Sequence, residues 1–150
     1  MLRGAQPRFR KIDITGDGAC LFRAIAQGAQ MASKGSPMSV SAEGIAAYNL
    51  RLAVVKELTD RKSELLDFLP GIADDWDGYL ANMSDPSAWG GEPEMVMASN
   101  ILKRPISVYR VVARRAELVV TYGEGLPVKG ISLLWQGAHY DLLVDENDTT

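Results

Sequence analysis

Asp17-Gly18-Ala19-Cys20-Leu21-Phe22-Arg23-Ala24-Ile25 holds the one cysteine of this 150-residue chain. Gly16-Asp17-Gly18 is a turn signal, and the residues from Cys20 onward are apolar on most sides, interrupted by Arg23. A helix apolar nearly all round belongs in an interior. The stretch therefore predicts a buried helix from about Cys20 to Gln30, with a thiol at its N-terminal tip and glycines that let backbone come close. A helix start carries unpaired N–H groups and roughly half a positive charge. Both favour the thiolate, which is the nucleophilic form. Taken alone, Cys20 reads first as a small buried hydrophobe; the rest of the chain has to argue for more.

Upstream, Arg8 to Ile14 alternates loosely through Phe9, Ile12 and Ile14 and predicts a short strand or an extended lead-in. Asp17 suits an N-cap whose carboxylate accepts a first-turn N–H, with a catalytic role as the alternative. Downstream, Ser33 to Ser41 is rich in Ser, Gly and Pro and predicts a loop, with Ser39 or Ser41 capping the next helix. That helix carries Ile45, Tyr48, Leu52 and Val55 at helical spacing, with Arg51, Lys56 and Glu57 outward, and ends near Asp60. Ser63 to Leu69 predicts a further short helix stopped by Pro70-Gly71. Asp74, Asp75 and Asp77 surround Trp76 and lead into another helical piece. Asp85 to Gly91 predicts a loop, and Glu92-Pro93-Glu94 opens a helix with Met95, Ala98 and Leu102 on its apolar face. After Pro105 the period alternates, giving strands near 106–112, 118–122, 131–136 and 140–144, the last two joined by a hairpin at Gly137-Ala138. The tail from Asp145 is polar and expected to fray. Helices first and strands later predict an α+β fold, with helices against a mainly antiparallel sheet. Trp76 and Trp135 are expected in the core.

Composition narrows the function. The chain is 47% hydrophobic, enough for one compact domain over 1–150 with its core at about 8–145. A net charge of −3 argues against nucleic acid as the main partner. A single cysteine excludes an intramolecular disulfide and a Cys-rich metal cluster, and no cofactor or metal is expected. The basic start, Met1 to Lys11, has no apolar core, so it is not a secretory signal. No apolar run approaches membrane-spanning length. These features suggest a monomer in a reducing compartment, cytoplasmic or also nuclear, with no membrane partner.

His139, the one histidine, lies in Gly137-Ala138-His139-Tyr140-Asp141. On a strand, His139 and Asp141 share a face. The carboxylate is then expected to hold Nδ1–H and leave Nε2 as the base, the orienting job of a triad's third member. Alone, His-x-Asp on a strand is as easily structural. A cysteine at a helix start and a histidine beside a carboxylate are together the groups of a cysteine hydrolase. His139⁺ would further favour the Cys20 thiolate as an ion pair. The backbone N–H of Cys20 and one from the Asp17–Ala19 turn, Gly18 among them, could form an oxyanion hole. If Asp17 caps the Cys20 N–H, that donor is not free.

These residues resemble a family. Asp17-Gly18-Ala19-Cys20-Leu21-Phe22-Arg23 is similar to the catalytic cysteine motif of the ovarian-tumour (OTU) cysteine proteases, which are deubiquitinases. Trp89-Gly90-Gly91 with Glu92 and Glu94 resembles the family's central motif, Pro105-Ile106-Ser107-Val108-Tyr109 the strand after it, and His139-Tyr140-Asp141 its C-terminal histidine motif. The order agrees from about Ile12 to Val144, and the Trp-Gly-Gly segment resembles plant and algal members in particular. The resemblance implies a papain-like OTU fold, its central sheet packed between helices. It implies Cys20 as nucleophile, His139 as general base, Asp141 as its orienter, and Asp17 shaping the site and oxyanion hole. It also implies a substrate, the C-terminal Gly-Gly tail of ubiquitin or a ubiquitin-like modifier on a lysine. Trp89, Gly90, Gly91 and Glu92 would then border the substrate, with Ser84–Gly91 beside His139 and Tyr122–Lys129 near the body of ubiquitin. Trp89 as a core plug and the two glutamates as helix-start charges are the structural alternatives. A ubiquitin-binding module without catalysis, or a thiol hydrolase of small esters or amides, are the competing functions.

Overall fold

The computed structural model describes residues 8–66 and 75–146. Phe9–Ile12 forms strand β1, followed by helices α1 (Cys20–Lys34), α2 (Val40–Asp60), α3 (Lys62–Leu65), α4 (Trp76–Met83) and α5 (Glu92–Leu102). Strands β2 (Ile106–Val112), β3 (Arg115–Tyr122), β4 (Ile131–Trp135) and β5 (Tyr140–Asp145) complete the chain. The expected stop at Pro70-Gly71 and the end of the polar tail lie outside the described residues. Helix α1 runs a turn past the expected Gln30. Gly35 ends it at φ 75°, its N–H on the Met31 carbonyl, a conformation glycine adopts without penalty. Ser39 caps α2, its hydroxyl taking the Ala42 N–H.

The five strands make one sheet in the order β1-β5-β4-β2-β3. Three pairings are antiparallel, and β2 with β4 is parallel. The parallel pair arises because β3 returns along the outer edge of β2, so β4 reaches the free inner edge running with β2. Leu21, Phe22, Ala24 and Ile25 of α1 pack with Ile106, Val108, Ile131, Leu133 and Leu142 of the sheet. Gly28 lets α1 lie close on the sheet, since a Cβ there would stand 2.5 Å from Ile131 Cγ2. The opposite face borders a groove lined by Phe9, Lys11, Leu134, Trp135 and Leu143. Among the described residues, helix α1 packs on β4 and β5 and helix α5 meets β3.

Helix α2 overturns a sequence expectation. Its buried residues are Glu43, Ala47, Leu50, Arg51, Val54 and Leu58. Ile45, Tyr48 and Leu52 are exposed, and Arg51, expected outward, is 1% exposed. Two apolar stripes of helical period run along this helix, so period could not choose between them. Neighbours α1 and α5, both in contact with α2, cover the stripe that carries Ala47, Leu50, Arg51, Val54 and Leu58. Trp76 is buried as expected, but Trp135 at 40% is exposed, against its expected core place; Trp89 at 52% is exposed, which sets aside the core-plug alternative.

Candidate active site

Cys20 opens α1, 1% exposed. The helix start is organised differently from the expected cap. Ala19 is the N-cap and makes no side-chain cap bond. The Cys20 N–H donates to the Asp17 backbone carbonyl at 3.1 Å. The Asp17 carboxylate accepts the Ala19 N–H at 3.0 Å and pairs with Arg23 Nε at 3.2 Å. An aspartate side chain in a turn bonds the backbone two residues on, so it captures Ala19 and leaves Cys20 to the carbonyl. Arg23, the charge that interrupts the apolar helix, continues to Glu43 Oε1 at 3.4 Å. The backbone N–H groups of Tyr140 and Leu21 lie close to the thiol. Burial pushes Cys20 above the usual thiol range and the charges of Asp17 and Asp141 add to it, against the pull of those two donors. The expected gain from the helix start is thus outweighed by desolvation, which disfavours the charged form.

His139 stands just before β5, and its Nε2 lies 2.7 Å from Asp141 Oδ1. The pair forms as expected, but through the other nitrogen. Two strand residues span roughly 6.6 Å, a gap the far ring nitrogen closes, while Nδ1 lies next to the histidine's own backbone. Facing an acceptor-only carboxylate, Nε2 is the donor, and in the neutral ring Nδ1 carries the lone pair. Nδ1 looks toward the loop before Cys20: a Cβ on Gly16 would stand 3.9 Å from it. Asp141 is itself held, its Oδ1 taking the Ile14 N–H at 2.8 Å and its Oδ2 the Gln136 amide at 2.9 Å. Burial alone would raise its carboxyl, but the donors Ile14, His139 and Gln136 outweigh that and hold it below the usual carboxylate range. Lys11 Nζ stands 4.0 Å from Oδ2.

The Ser84–Gly91 segment closes on the cysteine loop. A Cβ on Gly18 would lie 1.8 Å from the Ser87 carbonyl oxygen, and one on Gly90 2.9 Å from Leu21 Cδ2. At Gly18 backbone leaves no room for a side chain, whereas at Gly90 the crowding comes from the ends of the Leu21 and Phe22 side chains. Gly91 precedes α5 and gives its N–H to Glu94 Oε1 at 2.7 Å, while Tyr79 OH donates to Glu94 Oε2. Glu94 is therefore a buried cap, its carboxyl raised by burial despite the Gly91 donor. Glu92 is exposed, accepts the Tyr122 hydroxyl at 3.0 Å, and shares the neighbourhood of the Tyr140 side chain with Cys20. Among the described residues no acidic, histidine and cysteine cluster could hold a metal ion, and no helix is long and apolar enough to cross a membrane.

Asp17 and Asp141 stand near Cys20, Asp141 holds His139, and Gly18 and Gly90 are packed against Ser87 and Leu21 beside them. Two contributors escaped the sequence reading. Gln136 gave no signal, being one polar residue in a hairpin. Arg51 lay in the competing stripe of α2, where Ala47, Leu50, Val54 and Leu58 at helical spacing could have pointed to it.

Residues 15–140 match the sequence profile of the OTU-like cysteine proteases. The chain is 36% identical over 140 residues to an ovarian tumor domain-containing deubiquitinating enzyme 4 of Arabidopsis thaliana, covering 89% of this chain and 42% of that protein. It is 28% identical to the deubiquitinase OTUD6B of Xenopus laevis, covering 91% of this chain and 46% of that one. It thus spans under half the length of these relatives. The viral OTU domain protease of Taggert virus has a TM-score of 0.73 at 22% identity, over 94% of this chain and 82% of that one. An OTU domain solved in complex with ubiquitin has a TM-score of 0.67 at 24% identity, over 95% and 73%; these solved structures establish the shared fold. With the cysteine motif at the head of α1 inside the matched span and the histidine motif at the head of β5 where that span ends, the chain belongs to the OTU-like cysteine protease family.

Proposed function

We propose that this chain is a deubiquitinating cysteine protease that hydrolyses the isopeptide bond after the C-terminal glycine of ubiquitin or a ubiquitin-like modifier. The observation that carries the proposal is the nearness of the Tyr140 N–H to the Cys20 thiol. It sets the residue next to His139 against the nucleophile, although the two motifs are more than 100 residues apart. The deubiquitinases among its relatives support the substrate class.

The chemistry follows from the arrangement. His139 Nδ1 takes the thiol proton while Asp141 holds Nε2–H and stabilises the imidazolium. The sulfur attacks the glycine carbonyl carbon. The tetrahedral intermediate then expels the lysine amine, which takes the proton from His139. Water, deprotonated by the same nitrogen, opens the thioester, releasing the ubiquitin carboxylate and restoring the thiol. The oxyanion needs preorganised N–H donors. The Cys20 N–H, the other donor expected from the sequence, is engaged by the Asp17 carbonyl, which leaves the Gly18 N–H as the proposed donor. Asp17 acts by shaping this turn. Exposed Glu92 and Trp89, with Gly90 and Gly91 between them, are the proposed substrate border, Glu92 suited to a basic tail. The proposed setting is a monomer of the cytoplasm or nucleus.

The test is incubation with a panel of differently linked di-ubiquitins, with Cys20→Ala alongside. Cleavage of at least one linkage, absent in Cys20→Ala, is expected. Binding with no cleavage across the panel would identify a non-catalytic ubiquitin-binding module. Turnover of small esters alone would identify a different thiol hydrolase.

A further inference from the structure

Arg51 is a buried cation with no carboxylate in ion-pairing distance among the described residues. It is 1% exposed, and its guanidinium lies over the Phe22 ring at 4.3 Å from the centroid. Nη1 donates to the Met83 carbonyl at 3.1 Å. Nη2 donates to two loops at once, to the Pro86 carbonyl at 3.1 Å and to the Gly18 carbonyl at 3.3 Å. An apolar side chain would fill that space without desolvating a charge. What the cation adds is a rigid fork of donors, aimed at backbone beside the nucleophile.

The Gly18–Ala19 peptide is consequently held at both ends. Its oxygen is on Arg51 Nη2, and its N–H is on the Asp17 carboxylate at 3.0 Å. The Gly18 N–H belongs to the preceding Asp17–Gly18 peptide, which meets this one at the Gly18 Cα. Glycine is the residue most free to rotate there, so holding the Gly18–Ala19 peptide at both ends fixes one side of the hinge on which the Gly18 N–H turns. Pro86, on the same nitrogen, belongs to the segment that bears Trp89 and Gly90. We propose that Arg51 is a positioning residue that locks the Gly18–Ala19 peptide, steadies through the Gly18 backbone the adjoining Gly18 N–H offered to the oxyanion, and ties this turn to the Ser84–Gly91 segment. The inference rests on the function proposed above. Asp85, Glu94 and Asp17, all close enough to favour the charged form, balance the buried cation without competing for its donors.

The test compares wild type, Arg51→Lys and Arg51→Met on ubiquitin carrying a C-terminal fluorogenic amide. In Arg51→Met, kcat falls about 100-fold, the scale of a misplaced reacting group, with KM nearly constant. Arg51→Lys, which can reach one carbonyl but not fork to both loops, recovers part of the loss. Alkylation of Cys20 by iodoacetamide stays within about twofold of wild type, because Arg51 holds the peptide and not the sulfur. A raised KM at constant kcat, a lysine variant no better than methionine, or alkylation falling in step with kcat would each overturn the proposal. Two hydrogen-exchange measurements keep the judgement independent of those kinetics. In substrate-free protein, the Ala19 amide exchanges faster in Arg51→Lys than in wild type; equal rates refute the lock. In wild type loaded with an electrophilic ubiquitin, Asp17–Ala19 and Ser84–Gly91 slow together; slowing of only one refutes the tie, whether or not the variants fold. A wild type inert to both ubiquitin probes counts against the proposed function, and the substrate-free exchange then judges Arg51 by itself.

Discussion

His139 and Asp141 meet through Nε2, and this choice of nitrogen has consequences. Asp141 needs only to accept from His139 and Ile14 at Oδ1, while Oδ2 faces the Gln136 amide. In Asp141→Asn the remaining oxygen keeps both bonds, and Gln136 can turn its amide to accept from the new NH2. We expect kcat/KM of Asp141→Asn to stay within about tenfold of wild type on a ubiquitin substrate, and Asp141→Ala to lose about 100-fold. Equal losses would mean that charge, not orientation, is what Asp141 supplies. Cys20 gives a prediction in pH. Ionisation puts a negative charge into desolvated space near Asp17 and Asp141, so the folded thiol titrates above its ordinary value. The rate of iodoacetamide alkylation should therefore climb through neutrality with no plateau below about pH 8.5, the ordinary thiol value. A plateau near pH 6 would instead reveal a resting thiolate–imidazolium pair.

At the scale of elements, the loop before α1 and the entry to α5 are built on close contacts that single substitutions separate. A methyl on Gly18 would overlap the Ser87 carbonyl at 1.8 Å, whereas one on Gly16 meets nothing nearer than 3.9 Å. Gly18→Ala must displace backbone, and should cut kcat/KM by about 100-fold or more; Gly16→Ala should stay within a few-fold in the same assay. Glu94 closes the start of α5 by accepting from Gly91 and Tyr79. Removing it in Glu94→Ala leaves a buried N–H unpaired, at a cost of about 2 kcal/mol in urea unfolding. Glu94→Gln keeps an oxygen for Gly91. The folded carboxyl titrates above its unfolded value, so the folded state prefers it neutral, and its contribution declines as pH rises from about 4.3 through the raised value. Glu94→Gln should therefore gain on wild type between pH 4 and pH 7. The exposed stripe of Ile45, Tyr48 and Leu52 on α2 is where sequence reasoning failed: a helix apolar on two faces carries two equally periodic stripes, and only its packing partners decide between them.

Taken whole, the molecule assembles its site from its two ends. Ile14 and Asp141, joined by a hydrogen bond, are 127 residues apart, and β1 pairs with β5. Loss of activity in urea should coincide with loss of the far-ultraviolet circular dichroism signal, because the site cannot survive undocking of α1 from the sheet. An earlier loss of activity would show that the cysteine loop opens on its own. Asp141 links the site to acid stability. Its folded value lies below the unfolded one, so its contribution is present above about pH 4 and is lost as pH falls through the folded value; Asp141→Asn should flatten that limb. By itself the sequence determined the fold class, the order of elements, the buried helix behind Cys20 and the pairing of His139 with Asp141. These follow from local signals: glycine and proline at turns, the period of apolar residues, and a two-residue spacing on a strand. The tertiary structure alone decided which face of α2 is buried, that Arg51 joins two loops, which nitrogen of His139 meets its aspartate, and that the thiol is pushed up rather than down. Each of those depends on burial and on partners remote in the chain, and desolvation and carbonyl contacts leave no periodic trace in the residues that experience them.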